Sequence, residues 1–427
     1  MYQAPIPARV RLLILGGGIH GVGVLHDMVS RGWKDVHLLE KGLLGNATSA
    51  RSTKLIHGGL RYLRNLRDFP LVAEALRERK VLMMLAPDLV KPLELFLPLP
   101  KQGGVPAPIL RAGLMMYDLL AGRAKLQPYS VVTPEDALRR VPILDVAATR
   151  KIFSFWDAQT DDLGLVRRVA ASAVRHGAGV TEGCRATAIA PTEDGWNVDV
   201  VTGGERQTVS ALYVMNATGP WANQLLESSQ MKPVYHGVNS EGTHLLFPDA
   251  GMTAGMFLQD PLDHRIFFVL PWQGHTLVGT TETLYGGDPD VLRVRSESVE
   301  YLLKCCRQYL AVNWTERDIK AQFTGLRWLA ADENRELSRT SRAYVIGEHK
   351  SGRGSLMTLY GGKLTTYRNL AKTIGDRICQ HYGEAVRSRT HLPELWLSPE
   401  EALDLVAKEA RPIDRFLPGG IAYTPPE

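Results

Sequence analysis

Three glycines near the amino terminus have the spacing of a phosphate-binding turn. Gly16, Gly18 and Gly21 form a GxGxxG pattern directly after the apolar run Leu12–Leu15. In this pattern the first glycine permits a tight turn, the second lets backbone approach a pyrophosphate, and the third lets a helix pack closely on a strand. Glu40 follows nineteen residues after Gly21, where a carboxylate can accept hydrogen bonds from a ribose diol. We therefore predict a dinucleotide site; the alternative is a glycine-rich turn without a ligand.

A strand, a helix and a second strand are needed to position these residues. Leu12–Leu15 and Val36–Leu39 are short apolar runs of the kind that form buried strands. Between them the sequence predicts a helix from about Ile19 to about Arg31, whose amino terminus would face the anionic phosphates. The sequence thus predicts an α/β fold with a Rossmann-like dinucleotide-binding domain.

A longer stretch after the glycine turn resembles a known family. Thr48–Leu63 reads TSARSTKLIHGGLRYL, and it is similar to the run that follows the ribose-binding acid in the flavin-linked glycerol-3-phosphate dehydrogenases. Ala50, where that family usually has serine, is a departure. The resemblance reaches to about residue 385 through the segments Asp157–Asp162, Asn216–Trp221, Gly279–Thr281 and Gly361–Arg368. It implies a two-domain flavoprotein of the glutathione-reductase/D-amino-acid-oxidase type, with a second, mainly antiparallel β domain that binds the substrate.

The resemblance implies that the dinucleotide is FAD, bound without a covalent link. Besides the three glycines and Glu40, the cofactor-binding residues that it implies are Thr48, Ser49, Ser52, Thr53, Lys54, His57, Gly58, Ala217, Thr218, Gly219, Gly362, Lys363, Leu364 and Thr365. Small residues suit such contacts because backbone passes close to the cofactor.

The resemblance also implies a reaction, the oxidation of sn-glycerol 3-phosphate to dihydroxyacetone phosphate with electrons passed to a quinone. A phosphomonoester needs two or more cations, and Arg61, Arg327 and Lys363 match the family's substrate pocket, with Tyr62 beside them. We predict catalytic roles for His244, Arg327 and Lys363. His244 would accept the hydroxyl proton, because an imidazole titrates near neutral pH.

Departures from the family pattern leave other functions open. Glu241 stands where the family has lysine, so we expect an acid near the substrate mouth, and Glu282 replaces an aspartate. An enzyme acting on another polyol phosphate or a hydroxy acid, as a dehydrogenase or an oxidase, is therefore an alternative. The sequence ends seven residues after Leu417–Gly420, where the family enters a C-terminal helical domain. We expect that domain to be absent, and a subunit that needs a partner protein is a further alternative.

Composition narrows the class of protein. The 427 residues have a net charge of +5 and are 44% hydrophobic, which suits a chain of two or more lobes. The four cysteines have neither metal-ligand nor disulfide spacing, so we predict no metal site and a cytoplasmic location. No dense basic run is interleaved with aromatic residues, so we predict no nucleic-acid partner.

One apolar stretch allows two interpretations. Leu93–Leu120 is either a lobe that packs on the nucleotide domain or a surface that enters a bilayer interface. The resemblance favours the second, so we predict a peripheral protein on the inner face of the cell membrane, with Arg368, Lys372 and Arg377 facing anionic headgroups. No apolar run reaches the roughly 18 residues that a membrane span needs.

We predict two domains and a tail. Residues 1–80, 145–228 and 340–385 would form a discontinuous FAD-binding domain, and residues 81–144 and 229–339 the substrate-binding domain. Residues 386–427 would form a C-terminal tail with one helix at about 399–410.

Overall fold

The computed structural model describes residues 2–101, 104–330 and 344–401. The α-helices are α1 (Ile19–Ser30), α2 (Phe69–Leu85), α3 (Ala107–Ala121), α4 (Pro134–Arg140), α5 (Asp162–Arg175), α6 (Ala222–Ser228), α7 (Ser296–Cys306) and α8 (Tyr367–Tyr382). The strands are β1 (Arg9–Leu15), β2 (Val36–Glu40), β3 (Leu55–Ile56), β4 (Val90–Pro100), β5 (Ser130–Val132), β6 (Thr149–Thr160), β7 (Gly179–Glu182), β8 (Cys184–Thr192), β9 (Gly195–Thr202), β10 (Glu205–Asn216), β11 (Gly237–Pro248), β12 (Gly255–Gln259), β13 (Ile266–Trp272), β14 (His275–Gly279), β15 (Thr283–Tyr285), β16 (Ala321–Ala330), β17 (Val345–Ser351) and β18 (Gly354–Tyr360).

The first sheet carries the glycine turn. Its strands run in the order β17-β18-β10-β1-β2-β7, with β9 and β8 added beside β10, and β1 pairs in parallel with β10 and β2. Leu12 and Ile14 pack into a core shared with α1, α5 and α8, whereas Leu13 and Leu15 pack against Trp196 on the other face. Because both faces are covered here, β1 is apolar at every position from Leu12 to Leu15. The predicted Rossmann-like domain is confirmed.

The second sheet is mainly antiparallel, as predicted. Its described strands run in the order β15-β11-β14-β13-β12-β4-β6-β3, with β16 beside β11 and β5 beside β6. The β12–β4 pair is parallel, and the other described pairs are antiparallel. Two of its strands, β11 and β16, carry His244 and Arg327 to a cavity that the glycine turn of the first sheet also lines.

Sheet membership differs in part from the predicted domain limits. The predicted FAD-binding domain includes residues 1–80 and 145–228, yet β3 and β6 from these segments pair in the second sheet. The boundaries themselves stay a prediction, and most of the helix predicted at 399–410 lies outside the described residues.

The apolar run Leu93–Leu99 belongs to the interior of the second sheet. It forms most of β4, and Leu95 and Phe96 are fully buried in two different cores on opposite faces of the strand. This half of the predicted membrane-facing stretch is therefore core. The other half is α3, whose outer face exposes Ile109 and Leu119.

Candidate active site

A cavity of about 600 Å³, lined by residues of both sheets, collects most of the predicted site residues. The predicted cofactor-binding residues on its wall are Gly16, Gly18, Glu40, Thr48, Ser49, Ser52, Thr53, His57, Ala217, Thr218, Gly219, Gly362, Lys363, Leu364 and Thr365. The predicted substrate-binding and catalytic residues on its wall are Arg61, Tyr62, His244, Arg327 and Lys363. Gly21, Lys54 and Gly58 do not line it. Segments far apart in sequence thus converge on one space.

The glycine turn is as tight as its spacing predicts. Gly16 has φ +102°, and a Cβ atom at Gly21 would lie 1.9 Å from the carbonyl oxygen of Gly16. Gly21 therefore acts by close packing behind the cavity rather than on its wall. Ser49 Oγ accepts from the Ile19 amide at 2.9 Å and caps α1. Glu40 accepts from the amide of the neighbouring Gly17 at 2.7 Å, which ties the end of β2 to the turn.

His244 is held as a buried imidazole on β11. Its neighbours in the sheet are Phe323, on which the ring stacks with centroids 4.8 Å apart, and Gly279. A Cβ atom at Gly279 would lie 2.2 Å from the ring, so a side chain there would exclude the imidazole. His244 Nε2 shares a hydrogen bond of 2.9 Å with Thr53 Oγ1. Burial, reinforced by the positive charge of Arg327, holds the pKa of His244 well below its ordinary value, so the ring is neutral at neutral pH.

Arg327 enters the cavity from β16. Its Nη2 donates to Thr280 Oγ1 at 2.9 Å and to the carbonyl oxygen of Thr281 at 3.3 Å. Its Nη1 lies 4.0 Å from a carboxylate oxygen of Glu282. These contacts fix the guanidinium beside His244's strand. Thr280 also lines the cavity and was not predicted as a site residue.

Two further cations share one aromatic ring. Arg61 Nη2 donates to the Tyr62 hydroxyl at 3.1 Å, and Lys363 Nζ lies 3.9 Å from the centroid of the Tyr62 ring. A cation over an aromatic face is attracted by the ring's quadrupole. The side chain of Tyr62 therefore holds Arg61 and Lys363 on the same part of the cavity wall, although they are 302 residues apart in the sequence.

The structure places Lys54 away from its predicted position. Its ammonium forms a buried ion pair with Asp162 at 2.8 Å and also donates to the carbonyl oxygen of Ala50 at 2.6 Å. Asp162 in turn accepts from Ser52 Oγ at 2.6 Å. Lys54 therefore supports the loop that carries Ser52 and Thr53 instead of reaching into the cavity as a cofactor-binding cation.

Glu241 also departs from expectation. It is fully buried, accepts from Thr324 Oγ1 at 3.2 Å, and pairs with Arg295 Nε at 2.9 Å. Because successive side chains of a strand point to opposite faces, Glu241 faces away from the side on which His244 lies. The expectation of an acid at the substrate mouth is wrong.

Other cavity residues were missed by sequence reasoning. Arg51, Asp157 and His20 also line the wall. Each lies next to residues whose types predict a site role, but none of the three has such a signal of its own. The buried His20 Nδ1 and Arg51 Nε have no hydrogen-bond partner among the described residues. Unpaired buried donors are costly, so polar atoms in this state on a cavity wall fit contact with a polar ligand. Together with the glycine cradle, they fit a dinucleotide.

Comparison with known proteins agrees with this site. A profile described as FAD dependent oxidoreductase matches residues 11–368. The aerobic glycerol-3-phosphate dehydrogenase of Escherichia coli K12 is 33% identical over 384 residues, covering 87% of this chain and 74% of that protein. The D-erythritol 1-phosphate dehydrogenase of Brucella abortus 2308 is 34% identical, covering 86% of this chain and 73% of that protein. The glycerol-3-phosphate dehydrogenase structure of Bacillus halodurans, complexed with FAD, superposes with TM-score 0.72 at 23% identity, covering 94% of this chain and 71% of that one.

The chain is therefore an FAD-dependent oxidoreductase with the two-sheet fold of that class. Within this class it belongs to the family that contains the flavin-linked glycerol-3-phosphate dehydrogenases. FAD is its cofactor.

Neither a metal-ligand cluster nor a membrane-spanning helix occurs in the part of the chain that the structure describes. Within residues 2–101, 104–330 and 344–401, no group of three or more His, Cys, Asp or Glu side chains could hold a metal ion. Over the same part of the chain, no helix combines the length and the apolar character needed to cross a bilayer.

Proposed function

We propose that this enzyme oxidises sn-glycerol 3-phosphate to dihydroxyacetone phosphate with non-covalently bound FAD. The observation that carries the proposal is the cavity itself: a neutral imidazole, His244, and three cations, Arg61, Arg327 and Lys363, line the same space as the dinucleotide turn. A phosphomonoester with a neighbouring secondary alcohol needs this combination of groups.

Different residues of the cavity would bind FAD, accept the proton and bind the phosphate. The glycine turn and Glu40 would hold the adenosine and pyrophosphate part of FAD, and residues 361–365 the flavin part. When bound, FAD accepts the hydride that leaves the carbinol carbon. His244 takes the hydroxyl proton, and its contact with Thr53 orients the ring for this transfer. Arg61 and Lys363 bind the phosphate, and Arg327 stabilises negative charge that develops on the substrate oxygen.

A second candidate substrate is another polyol phosphate. The relative named D-erythritol 1-phosphate dehydrogenase is as similar to this chain as the glycerol-3-phosphate dehydrogenases are. Both substrates would need the same cations, so the charge of the cavity does not separate them. Glu241 does not distinguish the two substrates either, because its carboxylate is buried against Arg295.

Anaerobic bleaching of the flavin tests the proposal. The purified holoenzyme is mixed with glycerol 3-phosphate, D-erythritol 1-phosphate, a hydroxy acid or glycerol, and flavin absorbance is followed. Glycerol 3-phosphate should bleach the flavin fastest, and glycerol, which lacks the phosphate, should leave it oxidised. Fast bleaching by erythritol phosphate alone would select the second candidate. A flavin that no phosphate ester reduces would reject both.

We also propose that the electrons pass to a quinone and that the enzyme is cytoplasmic, lying on the inner face of the membrane. The support is the outer face of α3, where Ile109 and Leu119 are 63% and 72% exposed. Arg368 does not contribute to this surface as predicted, because its guanidinium pairs with Glu78 and is mostly buried.

Two measurements test the identity of the electron acceptor and the association with the membrane. Quinone reduction should exceed peroxide release during turnover, whereas the reverse would indicate an oxidase. The protein should sediment with anionic vesicles at low salt. Leu119→Gln should weaken that binding without changing the rate at which the enzyme reduces a soluble dye used as the electron acceptor. Equal sedimentation of both proteins would contradict the assignment of the membrane surface to α3.

A further inference from the structure

A buried carboxylate joins four segments beside the cavity. Asp157, on β6, accepts from Arg79 Nη1 of α2 at 2.6 Å and from the Tyr117 hydroxyl of α3 at 2.8 Å. It also accepts from the backbone amide of Gly58 at 3.1 Å. Asp157, Arg79 and Tyr117 are all nearly inaccessible to solvent. We refer to Asp157, Arg79, Tyr117 and the Gly58 amide as the Asp157 cluster.

Tyr117 pins the Gly58 amide from the side of α3. The amide donates to the Tyr117 hydroxyl at 3.0 Å as well as to Asp157. A Cβ atom at Gly58 would lie only 2.4 Å from that hydroxyl oxygen, so the loop and the ring are in close contact. Burial raises the pKa of Tyr117 well above its ordinary value, so the hydroxyl keeps its proton and donates to Asp157.

The pinned amide lies at the start of the turn that carries the substrate cation. Gly59, with φ +84°, follows Gly58 and opens a short 3-10 helix at Leu60–Arg64. That helix carries Arg61 and Tyr62 to the cavity wall. A shift of the Gly58 amide would therefore move Arg61, whereas the cluster itself adds no net charge, because Arg79 balances Asp157.

We propose that Tyr117, acting with Asp157, is a positioning residue that sets Arg61 in the phosphate-binding part of the cavity. The proposal rests on the proposed function, in which Arg61 binds the substrate phosphate. Neither α3 nor the Asp157 cluster has a role in the proton or hydride steps, so loss of the Tyr117 hydroxyl should change substrate affinity and leave the chemical step intact.

The test is Tyr117→Phe in the FAD-loaded enzyme. The variant removes the hydroxyl that donates to Asp157 and accepts from the Gly58 amide, but the amide keeps Asp157 as an acceptor. We therefore expect the effect on phosphate binding to equal about one hydrogen bond, which is roughly a three- to tenfold rise in KM for glycerol 3-phosphate with kcat changed by less than about twofold. Tyr309→Phe is the matched control, because Tyr309 also buries its hydroxyl in a hydrogen bond, to the carbonyl oxygen of Gln259 at 2.6 Å, but lies in a different core. Tyr309→Phe should leave KM unchanged. Equal KM values for the two variants would overturn the proposal.

A double-mutant cycle separates positioning from general loosening. In an Arg61→Gln background, Tyr117→Phe should raise KM by less than about twofold, because the cation to be positioned is gone. The same rise in both backgrounds would refute the proposal. Should Tyr117→Phe lose its flavin on purification, Gly58→Ala displaces the same amide and should raise KM in the same way; an unchanged KM in Gly58→Ala would also refute it.

A binding measurement distinguishes this inference from the proposed function. The bound-flavin spectrum is titrated with 2-phosphoglycolate, a phosphomonoester without an oxidisable hydroxyl. Tight binding to wild type and to Tyr117→Phe alike would overturn the positioning role and leave the phosphate site standing. Weaker binding by Tyr117→Phe than by wild type and Tyr309→Phe supports the positioning role of Tyr117, whichever polyol phosphate the enzyme oxidises. A wild-type enzyme that neither binds 2-phosphoglycolate nor oxidises a polyol phosphate would overturn the proposed function and this inference with it.

Discussion

Replacing Lys54 by methionine should destabilise the protein rather than strip a contact from FAD. The side chains of Lys54 and Asp162 are 2% and 1% exposed, and their ion pair is 2.8 Å long. Removing one partner of a buried pair typically costs about 3–5 kcal/mol. Asp162 keeps donors from Ser52 Oγ at 2.6 Å and from the Leu163 amide at 2.9 Å. We therefore expect Lys54→Met to lower the free energy of unfolding by about 3 kcal/mol, the lower end of this range.

The reverse change and the double change sharpen this expectation. Asp162→Asn leaves the buried Lys54 ammonium with neutral acceptors, the Ala50 carbonyl oxygen among them, and without a counter-charge, so it should cost more, about 4 kcal/mol. The double variant buries no unpaired charge and should recover about 2 kcal/mol of the summed losses. Arg139→Met, which breaks an exposed pair with Asp136, should cost about 1 kcal/mol or less.

Urea unfolding of the holoprotein with FAD in excess measures these free energies, and titration of the apoprotein with FAD measures cofactor affinity. If Lys54 bound the pyrophosphate, Lys54→Met would weaken FAD binding, Asp162→Asn would not reproduce the effect, and the unfolding free energy would fall only by the amount that the weaker FAD binding accounts for. That pattern would refute the assignment of Lys54 to the loop behind the cavity.

Three other results are expected. His244→Asn should lower kcat by about a hundred- to ten-thousandfold, since the proton acceptor is lost; an unchanged kcat would remove His244 from that role. Burial and the charge of Arg327 lower the pKa of His244 from its ordinary value of 6.5, so the imidazole stays neutral on acidification. In a pH profile of kcat/KM, the midpoint of the acid limb should therefore lie below pH 6.5. Arg327→Gln removes one of these causes and should move the limb to higher pH, and a limb that stays in place would contradict the coupling. Gly21→Ala places a Cβ atom against Gly16 and should yield protein that elutes from gel filtration without flavin; full flavin content would show that the turn tolerates it.

The glycine turn could be predicted from sequence because its physics is local. Gly16, Gly21 and the strand before them lie within a dozen residues, and the steric demand of a tight turn is visible in the residue types alone. Glu40 is the next acid at the end of a strand, and it lies where the spacing places it. The positions of His244 and Arg327, in contrast, came from a family resemblance, since an isolated histidine or arginine on a strand carries no signal of its own.

Pairings between distant segments could not be predicted in this way. Lys54 and Asp162 are separated by 108 residues, and nothing in either segment shows that an ammonium will meet that carboxylate instead of a phosphate. The apolar run of β4 is ambiguous for a related reason. Leu95 and Phe96 pack into different cores, so the strand lacks the alternation that would mark a one-sided surface.

The two faces of β11 explain why the departure at Glu241 misled the substrate prediction. Along this strand Glu241 and Thr243 point one way, where Glu241 pairs with Arg295 at the start of α7. His244, one position further, points the other way into the cavity. Because Glu241 lies three positions from His244, an odd offset in a strand, its side chain is on the face of β11 opposite the cavity. Glu241, which replaces the family's lysine, therefore affects how α7 packs on the sheet. The side chains around Arg61, Arg327 and Lys363 determine which substrate fits.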